Sequence, residues 1–132
     1  MKIVDIVLKA VFTLILAMPV LGLFGVLGEA TRDLYNTDAA FAFIQMLMDA
    51  RYINVMMAVA HVIAVIALWT RREGLAALIV LPITLNVVGF HLVLDGGLFT
   101  GGAVLADIML LINLYLIWRY RDTYRGLLAA RA

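Results

Sequence analysis

The chain has 132 residues, 66% of them apolar and 14% charged, with a formal net charge of +1 and no cysteine. A soluble domain is roughly 45–50% apolar and about 25% charged, and a compact fold of this length cannot hide the surplus from water. The balance demands an apolar solvent. It also excludes much chemistry. With neither Cys nor Ser in the sequence, there is no thiol or serine nucleophile, no disulfide, no Fe-S cluster and no thiolate metal site. The charge carries no nucleic-acid signature.

Four apolar stretches, 6–27, 53–69, 75–94 and 103–120, come close to the about 20 residues that a helix needs to cross a hydrocarbon layer of about 30 Å. None alternates like a barrel strand. The expectation is an all-α membrane protein with four transmembrane helices in one domain, 1–132. The first stretch is too long for the apolar region of a cleaved signal peptide and is expected to remain. Gly22, Gly25 and Gly28 recur every third residue at its end, which favours close helix contact there. Pro19 in that span and Pro82 in the third predict kinks.

After the first span, Phe41, Ile44 and Met48 recur at helical spacing behind the capping candidates Asn36, Thr37 and Asp38. The segment 39–48 is too short to span, and it reads as an interfacial helix in the first outer loop. It either packs on neighbouring helix ends or moves as a lid. Thr70–Gly74 is a tight turn and Asp95–Gly102 a loop of turn formers. Short links favour antiparallel neighbours, so the predicted architecture is an antiparallel four-transmembrane-helix bundle.

Lys2, Lys9, Arg71, Arg72, Arg119, Arg121, Arg125 and Arg131 fall on one side of these spans, and only Arg32 and Arg51 on the other. The positive-inside rule then places both termini in the cytoplasm. Lys9 lies about one turn inside the first span and is expected to snorkel to the interface. Arg119, Arg121 and Arg125 interleave with Tyr115, Tyr120 and Tyr124 as an interfacial anchor.

Ionisable groups inside spans are costly and mark candidate sites. The outer half is rich in them. Glu29 ends the first span. Asn54 and His61 are seven apart on one face of the second, with His61 about 13 Å in from its mouth at 1.5 Å per residue. His91 and Asp95 are four apart at the end of the third and can touch. Asp107 opens the fourth. Facing inward together, these six would line an outward-opening polar pocket and bind a ligand. Asn86 and Asn113, nearer mid-membrane, read as hydrogen-bonding contacts between helices. A quinone headgroup would suit the set, because His with a carboxylate supplies both a donor and a proton exchanger. The depth gap between the histidines argues against a shared metal ion or a bis-histidine haem. Beyond His61 the inner half offers no ionisable residue to continue a proton path, so a carrier is the least supported role.

The stretch Leu81-Pro82-Ile83-Thr84-Leu85-Asn86 followed by Phe90-His91-Leu92-Val93-Leu94-Asp95 resembles the third-helix signature of the DoxX-like family. So does Asn113-Leu114-Tyr115-Leu116-Ile117-Trp118-Arg119-Tyr120-Arg121-Asp122 with Tyr124, Arg125 and Leu127-Leu128. The resemblance implies a small four-span protein of the bacterial inner membrane, with some relatives linked to quinone-dependent oxidation of sulfur compounds or to membrane oxidoreductase assemblies. The chain departs from the pattern in three places. His61 stands where such relatives often carry an acid, Val65 where they carry a small residue, and Gly28-Glu29-Ala30-Thr31 where a basic residue is common. The expectation is therefore a membrane component of a quinone-linked redox system, its pocket centred on His91 and Asp95. Its expected partners are the lipid bilayer and either other membrane oxidoreductase subunits or further copies of itself. The alternative is a non-catalytic scaffold or assembly subunit whose polar residues only pin helices together.

Overall fold

A computed structural model describes residues 2–129, so Arg131 of the basic tail lies outside the described residues. Of the chain's described residues, 80% are helical and none is in a strand. Its helices are α1 (Ile3–Leu23), α2 (Asp38–Ala50), α3 (Tyr52–Trp69), α4 (Glu73–Val93), α5 (Val104–Arg119) and α6 (Arg121–Leu128). Four of them, α1, α3, α4 and α5 with its leading 3-10 turn, are long and apolar enough to cross a membrane.

Packing follows the small residues. α1 lies against α3, α3 against α4 and α4 against α5, with a lighter contact between α5 and α1. Ala64 and Ala67 of α3 and Ala76 and Ala77 of α4 are buried in the core with Phe12, Leu16 and Leu116. Alanine stripes let helix backbones approach closely, which is how helices gain contact energy where lipid removes the hydrophobic drive. The opposite faces carry exposed Leu14, Ile66, Leu85 and Leu111, a surface suited to lipid.

The ends of the elements differ from the sequence reading in instructive ways. α1 stops at Leu23, not residue 27. Gly25 takes φ +72°, and the Val26 and Gly25 N–H groups return to the Leu21 and Gly22 carbonyls at 3.1 and 3.0 Å. This is a glycine-terminated Schellman cap. Gly25 and Gly28 therefore do not serve close helix contact: both lie beyond the helix, and a Cβ built on either meets nothing within 4 Å. α2 runs over 38–50, slightly longer than expected, and Thr37 is its cap, accepting from the Ala40 N–H at 3.0 Å. α4 continues unbroken through Pro82.

The end where α1 and α4 begin and α3 and α5 finish is held by polar contacts. Trp69 Nε1 donates to Thr13 Oγ1 at 2.9 Å, and Arg119 pairs with Asp5. Lys9 does not snorkel. It is buried and paired with Glu73, which the sequence reading overlooked. The reason is rotational: Lys9 shares its face of α1 with the core residues Phe12 and Leu16, so its ammonium is turned inside the protein onto Glu73, the first residue of α4. Burial, and next the Glu73 charge, push the Tyr120 phenol up. Tyr124 of α6 donates to the Gly74 carbonyl at 2.9 Å. A Cβ on Gly74 would come within 3.1 Å of Tyr120 Cβ and 3.2 Å of the Tyr124 hydroxyl. Gly74→Ala should therefore push α6 off α4 and lower stability by about 1 kcal/mol, the low end of an overpacking penalty. Denaturation in detergent micelles reads this, and an unchanged midpoint would mean that the tail yields freely.

Candidate functional site

At the other end of the molecule α4 finishes in a clasp. Asp95 is fully buried, and its Oδ2 meets His91 Nδ1 at 3.0 Å, one helical turn away. Its Oδ1 accepts the Asn36 backbone N–H at 2.8 Å, and its own carbonyl accepts Asn36 Nδ2 at 3.0 Å. The Thr37 hydroxyl donates to the Leu94 carbonyl. Two consecutive residues of the first loop are thus bolted to the last two residues of the third span's C-terminal turn. The expected His91–Asp95 contact is present. Its third member, Asn36, is a residue that sequence reasoning considered only as a helix cap.

An aromatic cover closes the clasp. Phe90 packs edge-on to His91 at 5.0 Å between ring centroids, and Tyr35 meets Phe90 at 6.3 Å and Phe41 at 5.9 Å. Phe43 of α2 lies 5.8 Å from Phe90. Burial, and next the Asp95 charge, push the Tyr35 phenol up. On the remaining side Gly102 approaches so closely that a Cβ there would sit 3.5 Å from Asp95 Oδ2 and 3.7 Å from His91 Cε1. The carboxyl group faces its own chain, not an opening.

The other candidates do not join this pair. Glu29 is exposed on the loop after α1. Asn54 donates from Nδ2 to the Leu47 carbonyl at 3.1 Å, tying α2 to α3. Asp107 is half-buried in the first turn of α5, where a negative charge suits the helix dipole. Among the described residues no three of His, Asp or Glu gather closely enough to hold a metal ion. The single outward pocket expected from six converging side chains is corrected to one closed pair with scattered neighbours. Five of the six, all but His61, sit at or beyond element ends, where local hydrogen bonding or solvent decides their direction.

Deeper in the core lies a set of polar atoms that the chain leaves unsatisfied. His61 is 1% exposed, yet neither ring nitrogen has a hydrogen-bond partner. Thr84 Oγ1 on α4 and Asn113 Oδ1 on α5 are buried and unpartnered too. Asn113 does act as the expected contact between helices, donating from Nδ2 to the Ala77 carbonyl of α4 at 3.0 Å. Thr84 was missed; its signal was the buried stripe Ala77, Val80, Thr84 at helical spacing.

Asn86 makes no hydrogen bond to another described helix of its own chain. It is exposed on α4, because at about 100° per residue it sits on the far side from buried Thr84. It borders a shallow groove of about 500 Å³ lined by Phe43, Pro82, Leu85, Gly89, Phe90, Val93 and Leu94. Compared with family models, curated proteins and solved structures, the chain finds no match.

Proposed function

We propose that this chain is an integral membrane scaffold or assembly subunit, an antiparallel four-helix bundle with α2 lying at the outer interface and both termini in the cytoplasm of a bacterial inner membrane. One observation carries the reading. The polar residues that find partners fasten the chain to itself: His91 holds the Asp95 side chain, Asp95 and Asn36 fasten the first loop, Asn54 fastens α2, and, deeper in, Asn113 fastens α4 to α5. Such groups serve shape. Interhelical hydrogen bonds of this kind contribute about 0.6 kcal/mol each on average, enough to select one packing among several. The Arg- and Tyr-rich tail anchors the cytoplasmic side. The expected result is that protein purified from its own membrane carries other membrane subunits but no stoichiometric small molecule, and that His91→Leu keeps those partners.

A second reading is supported by the unsatisfied imidazole of His61 and hydroxyl of Thr84, each of which carries a donor. Leaving a buried donor unpaired costs about 1–3 kcal/mol, and a quinone carbonyl would relieve it. With the resemblance to the DoxX-like family, this favours a subunit of a quinone-linked redox system. Organic extraction discriminates the two. Stoichiometric quinone in the native protein, lost in His61→Leu with the fold intact, overturns the scaffold reading in favour of the second.

A further inference from the structure

We infer that the α4 face carrying Asn86 is a two-fold seam through which two copies of this chain associate in the membrane. Away from the helix ends, Asn86 is the exposed side chain with hydrogen-bonding groups among the described residues of the four long helices. It lies about 20 Å along α4 from Glu73 and about 10 Å short of Val93, at 1.5 Å per residue. That is well inside a hydrocarbon layer of about 30 Å. There the amide has no water to bond, and no described residue of its own chain bonds it either.

The occupant follows from the chemistry of the group. A primary amide carries two N–H donors and a carbonyl acceptor, so it is complementary to itself. Lipid tails offer neither, and a charged partner would itself be stranded at this depth. Two Asn86 side chains related by a two-fold axis exchange N–H···O bonds and satisfy one another, the isologous arrangement of most homodimers.

The surrounding residues fit a helix of the same kind. Pro82, Asn86, Gly89 and Val93 follow one another at intervals of four, three and four, the spacing of a left-handed helix seam in which a single Asn fixes register and oligomeric state. Gly89 has nothing within 4 Å of where a Cβ would stand, leaving room for a second backbone to approach. No residue lining the groove is charged, so two copies meet without repulsion. Phe43 of α2 bounds the groove on one side and limits how far the second helix can roll.

The inference needs the membrane-spanning reading but not the scaffold role. Its test uses the absence of native cysteine. In native membranes, Gly89→Cys is expected to give an oxidant-dependent disulfide dimer, whereas Leu111→Cys, on an exposed face of α5, stays monomeric. Adding Asn86→Leu to Gly89→Cys should reduce cross-linking at least tenfold, and Asn86→Gln should restore part of it. Equal cross-linking at both positions, or cross-linking unchanged by Asn86→Leu, overturns the seam. So does a monomeric native chain at every protein-to-lipid ratio. A chain that an alkaline carbonate wash strips from the membrane would instead overturn the membrane reading. Stoichiometric lipophilic molecule lost on Asn86→Leu, with the chain monomeric, would show the groove to be a ligand site and end the proposal.

Discussion

Lys9→Met is expected to destabilise the folded protein by about 3–5 kcal/mol, the penalty for stranding one charge of a buried pair. The side chains of Lys9 and Glu73 are only 7% and 11% exposed, so no water replaces the lost partner. Glu73→Gln removes the carboxylate from the same buried pair and should also lower stability. The combined Lys9→Met and Glu73→Met variant should return to within about 1 kcal/mol of the native protein, since a well-packed apolar pair of similar volume is often neutral. Unfolding titrations in mixed micelles give all four corners of this cycle. Single variants within about 0.5 kcal/mol of native would show that the pair is hydrated and contributes nothing.

Asp95→Ala is expected to free the first loop. The substitution removes the acceptor of the Asn36 N–H and the partner of His91 together. Hydrogen bonds to a charged group contribute about 1.5–3 kcal/mol, so local opening becomes easier by about 3 kcal/mol. Where opening equilibrates faster than cleavage, proteolysis tracks the open population, and trypsin should cut after Arg32 roughly a hundred times faster. Asp95→Asn retains an acceptor for Asn36 and should fall between. An unchanged digestion rate in Asp95→Ala would mean that the aromatic cover alone holds the loop.

The pattern of these effects tracks what one sequence can and cannot disclose. Span existence was legible because a run of about 20 apolar residues has few other uses, and the contact of His91 with Asp95 because four-residue spacing on a helix leaves little freedom. Rotation about each helix axis was not. Asn86 and Thr84 are two residues apart, yet one is exposed and the other fully buried. Hydropathy does not distinguish these faces when all sides of a helix are apolar. Pairings across long separations were equally hidden: Glu73 read as a turn residue, and only the facing Lys9 reveals its purpose. Gly25 misled because a three-residue repeat of glycines is also what a helix end looks like.

The pairing of Lys9 with Glu73 constrains how the protein is made. The two are separated by 64 positions, so at a synthesis rate of about 5–20 residues per second Lys9 is made roughly 3–13 s before Glu73. Until residue 73 has been translated, the buried ion pair that joins α1 to α4 cannot form. Consolidation is thereby ordered: α1 gains this tether only after the start of α4 emerges, and a chain truncated before residue 73 lacks it.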